Sequence, residues 1–133
     1  GSEMCIRDSH KSEPIIFYLD LDVAEGKSGM VNEFVEYLVA TVKKTEPDTM
    51  YYKYWVAEDG SKVSLMEIYP NNEAALFHMN AFAEAPHRDK FLNTFIVTNF
   101  QVMGKTNNEL KDAMKDYTTD HRVLIDGFKR SKN

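Results

Sequence analysis

Two short alternating segments joined by an Asp-Gly step restrict the fold of this chain more than any other feature. The segments cover residues 50–57 and 62–69, and Glu58-Asp59-Gly60-Ser61 separates them. Alternation of apolar and polar residues is typical of half-buried strands, and an Asp-Gly pair suits the tight turn of a hairpin. The sequence therefore predicts an antiparallel hairpin at the centre of the chain.

Helical and strand-like patterns alternate on both sides of this hairpin. Residues 15–23 alternate and predict a first strand, whereas residues 31–42 carry apolar side chains at helical spacing. This helix should end near Glu46-Pro47, because proline disfavours helical geometry in the residue before it. A second helical region follows residue 72, with a break at Pro86, and residues 97–103 predict a last strand.

The order β-α-β-β-α-β predicts an α+β chain with a ferredoxin-like fold. In this arrangement a four-stranded antiparallel sheet packs both helices on one face and leaves the other face apolar. With 133 residues, the chain fits one domain, and pairing of the bare sheet faces would stabilise it. We therefore expect a homodimer of the dimeric α/β barrel type.

Three regions are predicted along the chain. Residues 1–13 form a disordered leader, since Gly1-Ser2 resembles a tag remnant and Met4-Cys5-Ile6-Arg7-Asp8-Ser9 resembles a translated transposon end. Residues 14–104 form the ferredoxin-like domain. Residues 105–133 form an extension that packs on the same domain or on the partner subunit, with a helix over 107–114 and a small strand or arm near Val123-Leu124-Ile125.

Charge and hydropathy exclude several classes of partner. The net charge of −5 and the scattered basic residues argue against nucleic acid, which is bound by clustered lysine and arginine. The sequence has no apolar run of about 18 residues, so no membrane span is expected and the protein is predicted to be cytoplasmic. His78, His87 and His121 have no metal-ligand spacing, and no glycine-rich loop suggests a nucleotide or flavin.

Acid–base chemistry remains, with His78 and Glu67 as the candidate catalytic residues. An imidazole with a pKa near ~6.5 can accept a phenol-type proton and return it at neutral pH. Glu67 is in phase with Leu65 and Tyr69 on its strand, and a buried carboxylate requires a partner. The structural alternatives are a half-buried helix histidine bonded to the sheet, and a structural ion pair made by Glu67.

Aromatic side chains around these two groups predict a pocket for a planar ligand. Trp55 and Tyr52 lie on opposite faces of their strand, so one set should line the pocket and the other should lie on the dimer face. We predict that substrate contacts come from five residues: Trp55, Tyr52, Tyr69, Tyr18 and Asn80.

The same motifs, taken together over residues 14–104, resemble the antibiotic biosynthesis monooxygenase (ABM) family of dimeric α/β barrels. The resemblance rests on Glu46-Pro47-Asp48-Thr49, the aromatic strand after it, Glu67-Ile68-Tyr69, and Glu73-Ala74 followed by His78. It matches His78 to the family's helix histidine and Glu67 to its strand carboxylate. The first strand departs from the family, because Tyr18 and two aspartates stand where several members use Asn.

The resemblance implies a function as well as a fold. Family members include cofactor-free monooxygenases of aromatic polyketides and quinols, haem-degrading enzymes and small isomerases. We therefore expect a cofactor-independent monooxygenase that acts on a small aromatic, phenolic or quinol substrate. The alternatives are a haem-binding or haem-degrading protein and a non-catalytic ligand-binding dimer of the same fold.

Overall fold

A five-stranded sheet with its helices on one face forms the framework of the protein. The computed structural model describes residues 13–132, so the predicted leader lies outside the described residues apart from Glu13. In chain order the elements are β1 (Ile15–Val23), α1 (Val31–Thr45), β2 (Tyr51–Val56), β3 (Lys62–Tyr69), α2 (Asn72–Ala83), α3 (Arg88–Thr94), β4 (Phe95–Met103), α4 (Asn108–Met114) and β5 (His121–Arg122).

The sheet is mixed, with strand order β2-β3-β1-β4-β5. The pairs β2–β3, β3–β1 and β1–β4 are antiparallel, as predicted, but β5 pairs in parallel with β4. The sheet therefore has a fifth, parallel strand beyond the four antiparallel strands predicted, within the C-terminal extension for which the sequence predicts a small strand or an arm. The backbone N–H groups of Val102 and Gly104 donate to carbonyl oxygens of Asp120 and Arg122, each at 2.9 Å. The fifth strand thus covers an edge of β4 that would otherwise be unpaired.

The core lies between the sheet and the helices. Alternate residues of β1 and β3 are buried, which is the pattern of a sheet with one covered face. Helix α1 buries Phe34, Leu38 and Val42 at helical spacing against this face. The opposite face is not wholly apolar, because Asp20 accepts hydrogen bonds there from Tyr18 (3.1 Å) and Ser64 (2.9 Å).

The C-terminal region packs against the second helix. Helix α4 contacts α2, and its Leu110 and Met114 are fully buried. Asn72 ties the two helices together, because its amide accepts from the Asn107 backbone N–H at 2.8 Å and donates to the Lys105 carbonyl at 3.0 Å. The predicted helix over 107–114 is confirmed.

The predicted small strand is displaced by a few residues from its expected position. Strand β5 consists of His121 and Arg122, whereas Val123, Leu124 and Ile125 follow it as exposed residues without strand pairing. The two residues that pair are polar, so an apolar pattern did not identify them. None of the helices in residues 13–132 has the length and apolar character needed to cross a bilayer.

Gly104 joins the sheet to this C-terminal region in a conformation that favours glycine. Its φ is +127°, and a Cβ atom there would lie 2.7 Å from the carbonyl oxygen of Pro14. Both the backbone angle and the close approach exclude a larger side chain without strain.

Candidate active site

The two predicted catalytic residues meet on the covered face of the sheet. The alternation of β3 directs Glu67 inward, where its residue is 3% exposed, and α2 presents His78, which is 8% exposed. Nε2 of His78 lies 3.1 Å from Oε1 of Glu67. The hydroxyl of Tyr69, two residues further along β3, donates a short hydrogen bond to the same oxygen.

Glu46 completes this group from the other side of the imidazole. Its Oε1 lies 2.7 Å from Nδ1 of His78 and also accepts from the Thr49 hydroxyl at 3.3 Å. Pro47 ends α1 at this point, so Glu46 leaves helical geometry and its carboxylate reaches inward. Glu46 is not among the predicted catalytic residues, although the Glu-Pro-x-Thr motif is the sequence signal that contains it.

Burial and charge determine the protonation of this cluster. Burial lowers the pKa of His78, but the charges of Glu67 and Glu46, with the hydrogen bond to Glu46, outweigh that effect and raise its pKa overall. Burial also raises the pKa of Glu67, and the opposing effects of His78 and Tyr69 do not cancel it. His78 and Glu67 therefore retain their protons to higher pH than isolated side chains of the same kinds do.

One oxygen of the Glu67 carboxylate remains available to accept a hydrogen bond from a ligand. The contacts of its carboxylate with Tyr69 and His78 both use Oε1, whereas Oε2 has no hydrogen-bond partner within residues 13–132. Across the same residues, Nδ1 of His87 is the only side-chain nitrogen or oxygen that is both buried and unpartnered. Oε2 is therefore accessible, and Glu67 lines the large cavity of the protein. Both ring nitrogens of His78, by contrast, face carboxylates.

The cavity lies between the sheet and helices α1, α2 and α3, and its volume is about 650 Å³. That volume suits a drug-sized or polycyclic ligand. Most of its wall is apolar or aromatic, and the C-terminal region contributes Asp116 and Tyr117. Tyr52 also lines it, with its hydroxyl 2.7 Å from that of Tyr54. The polar cluster thus lies in the wall of a largely apolar chamber.

The predicted substrate contacts fall into separate places. Tyr52 lines the cavity, and Tyr69 lies behind Glu67 without lining it. Trp55 and Tyr18 are on the opposite face of the sheet, where Trp55 is 56% exposed. Asn80 is exposed on α2 and is not part of the cavity wall. Sequence alternation separated the two faces of β2 but did not show which face the helices cover.

The structure also bears on metal binding. Within residues 13–132, no group of three or more His, Cys, Asp or Glu side chains is arranged to hold a metal ion. The polar cluster supplies one imidazole whose two nitrogens are already bonded, so it offers no free nitrogen ligand.

Comparison with known proteins gives the fold its context. No family model and no curated protein sequence matches the chain. Among solved structures, MupZ from Pseudomonas fluorescens superposes with a TM-score of 0.76 at 15% identity, covering 88% of this chain and 89% of MupZ.

Two further solved structures carry the family name or a related one. A candidate antibiotic biosynthesis monooxygenase from Bacteroides thetaiotaomicron has a TM-score of 0.52 at 15% identity and covers 71% of this chain and 90% of its own. A candidate monooxygenase from Lactobacillus acidophilus gives 0.53 at 17% identity, covering 68% of this chain and 43% of its own. This chain has an ABM-like fold. At these identities the likeness establishes the ABM-like fold alone, and the chemistry has to be argued from the site.

Proposed function

We propose that this protein is a cofactor-independent monooxygenase that acts on a small aromatic substrate with a phenol or quinol hydroxyl. The observation that carries the proposal is Oε2 of Glu67, which has no hydrogen-bond partner among residues 13–132, at a residue that lines an apolar cavity and whose Oε1 is held by His78 and Tyr69. A carboxylate that is buried, positioned and still free at one oxygen suits a general base.

In the first step, the substrate hydroxyl donates its proton to Oε2 of Glu67. Before the transfer, Nε2 of His78 stabilises the ionised form of Glu67, and Glu46 stabilises positive charge on the imidazole through the 2.7 Å contact to Nδ1. The raised pKa of Glu67, caused first by burial, makes its carboxylate a stronger base than an exposed one. The product of this step is an electron-rich phenolate in an apolar chamber.

In the second step, the phenolate gives one electron to dioxygen and the two radicals combine to form a carbon–oxygen bond. The ring C–H proton then moves to the outer oxygen of the peroxide, and cleavage of the O–O bond leaves a quinone and hydroxide. The proton held on Glu67 converts the hydroxide to water. The substrate loses two hydrogens and gains one oxygen atom, and dioxygen is the oxidant, so no further reductant is required.

Oxygen uptake by the purified protein with naphthols tests this proposal. Glu67→Gln keeps the acceptor for Tyr69 but removes the base, so uptake should fall by about 10²- to 10⁴-fold. Glu84→Gln is the matched control, because Glu84 lines the cavity but makes no contact with His78. Full uptake by Glu67→Gln, or no uptake by the wild type with any phenol tried, would refute the proposal.

The same chemistry disfavours the haem alternative at His78. An axial ligand needs a free imidazole nitrogen, whereas both nitrogens of His78 contact carboxylates at 2.7 and 3.1 Å. When haem is added, we expect the same Soret band in the wild type and in His78→Gln. A shift that His78→Gln abolishes would favour haem binding over the oxygenase proposal.

The dimeric barrel is part of the proposal. Its support is the exposed apolar side chains of the sheet, namely Trp55 on the outer face, which is 56% exposed, and Val56 and Ile96 elsewhere on the sheet. Apolar exposure of this kind marks interaction surfaces. Light scattering at micromolar concentration should give twice the monomer mass, and a monomer would contradict this part.

A further inference from the structure

A second histidine in the cavity wall is not used by the proton-transfer cluster. His87 lies in the turn between α2 and α3 and lines the cavity. Its ring packs edge-on against Tyr37, with centroids 5.6 Å apart at 81°, and 6.4 Å from Phe82. Its Nδ1 is buried without a hydrogen-bond partner among the described residues. A buried polar atom of this kind calls for an explanation.

The environment of Nδ1 determines the tautomer of His87. A proton on Nδ1 would leave a buried donor without an acceptor, which is costly. The neutral ring therefore carries its proton on Nε2. Burial, and then the charge of His78, lower the pKa of His87, so the ring is neutral at physiological pH. Nε2 is not buried and has no partner within residues 13–132, so its N–H is free to donate.

The two histidines occupy different parts of the cavity wall. His78 contacts the rings of Phe17 and Tyr69, both 0% exposed, and therefore lies at the inner end. His87 contacts Tyr37, which is 47% exposed, and therefore lies towards the opening. A ligand that fills the cavity would therefore meet the His78 cluster with its inner end and His87 with its outer end.

We propose that Nε2–H of His87 donates a hydrogen bond to a carbonyl oxygen at the outer end of the substrate. Combined with the proposed function, on which the orientation rests, this defines the substrate class as an aromatic ketone or quinone-like molecule with a phenol hydroxyl at its inner end. A neutral carbonyl fits better than a carboxylate, because Glu84 and Asp116 also line this cavity. Arg88 is not part of the cavity wall, and its guanidinium donates to the Tyr117 hydroxyl at 3.1 Å.

Binding of a matched pair of phenols without oxygen tests the role of His87. The probes are para-hydroxybenzophenone, which has the ketone, and para-benzylphenol, which lacks it but has the same skeleton. The wild type should bind the ketone about tenfold more tightly by calorimetry, as expected for one hydrogen bond. His87→Phe should abolish the preference by weakening only the ketone, and His87→Gln, which keeps an N–H donor, should retain part of it.

The outcomes separate this inference from the proposed function. Glu67→Gln should keep the ketone preference while losing oxygen uptake, so failure of the oxygenase chemistry leaves the His87 result intact. Equal binding of the two probes by the wild type, no binding of either, or an undiminished ketone preference in His87→Phe would overturn the inference. Circular dichroism of each variant verifies folding, and His87→Gln carries the test if His87→Phe does not fold.

Discussion

Replacement of Glu46 by Gln is the sharpest test of the cluster, because it removes one charge and almost no volume. The amide oxygen of Gln can still accept from Nδ1 of His78, so the 2.7 Å contact can persist as a neutral hydrogen bond. What changes is the electrostatic stabilisation of the protonated imidazole. The pKa of His78, which the charges of Glu67 and Glu46 raise, should therefore fall.

The size of the effect follows from the strength of the lost interaction. A hydrogen bond to a charged group contributes about 1.5–3 kcal/mol, against about 0.5–1.5 kcal/mol for a neutral one. The difference of about 1–2 kcal/mol disfavours the imidazolium by about 5- to 30-fold. The imidazolium keeps the buried carboxyl group of Glu67 ionised, as a base must be before it accepts a proton, so kcat for oxygen uptake should fall by a similar factor.

The assay is an NMR titration of the His78 ring nitrogens in the wild type and in Glu46→Gln, with oxygen uptake measured in parallel. Glu84→Gln again serves as the control, because it removes a cavity carboxylate that does not touch the imidazole. An unchanged or higher pKa of His78 in Glu46→Gln would refute the electrostatic account. A lower pKa with unchanged kcat would show that proton transfer does not use the imidazolium.

Three further predictions concern stability. The pKa of His78 is raised in the folded protein, so its protonation stabilises the fold below pH 6.5, and this contribution is lost as the pH rises above that value. The free energy of unfolding in urea should therefore be lower at pH 8 than at pH 6, and an equal decrease in His78→Gln would show that His78 is not the cause. Gly104→Ala should lower the free energy of unfolding by about 1–3 kcal/mol, whereas Gly29→Ala should change it little, because a Cβ atom added there meets no atom within 4 Å. Equal unfolding midpoints of the two variants would refute this prediction. Leu110→Ala should lower the free energy of unfolding by about 2–5 kcal/mol, whereas Leu124→Ala should have almost no effect, because Leu124 is 76% exposed. A Leu110→Ala variant as stable as the wild type would show that the packing of α4 does not stabilise the fold.

The periodic spacing of apolar residues in the sequence was sufficient to predict most of the secondary structure. Alternation with a period of two predicted β1 to β4, and helical spacing predicted α1 and α2, because both repeats record which side of an element is buried. The phase of Glu67 with Leu65 and Tyr69 likewise predicted that its carboxylate shares the buried face of β3, and the structure agrees.

Alternation alone could not decide which face of β2 looks into the cavity. Tyr52 and Trp55 belong to opposite faces of one strand, and both patterns are equally regular in the sequence. Register decides between them, because Tyr52 pairs with Glu67 whereas Trp55 pairs with Ser64 on the outer face. Pairing of strands distant in sequence is a tertiary property, so the position of Trp55 relative to the cavity followed only from the fold.

The sequence by itself determined the order of elements, the buried phase of Glu67 and the helix that carries His78. Only the tertiary structure decided that Glu46, 32 residues before His78, bonds the same imidazole, and that β5 adds a fifth strand. Glu46 stands at a helix end and β5 is two polar residues, so neither carries a local apolar pattern. Their positions depend on long-range contacts, which bury a carboxylate or pair a strand edge only after the chain has folded.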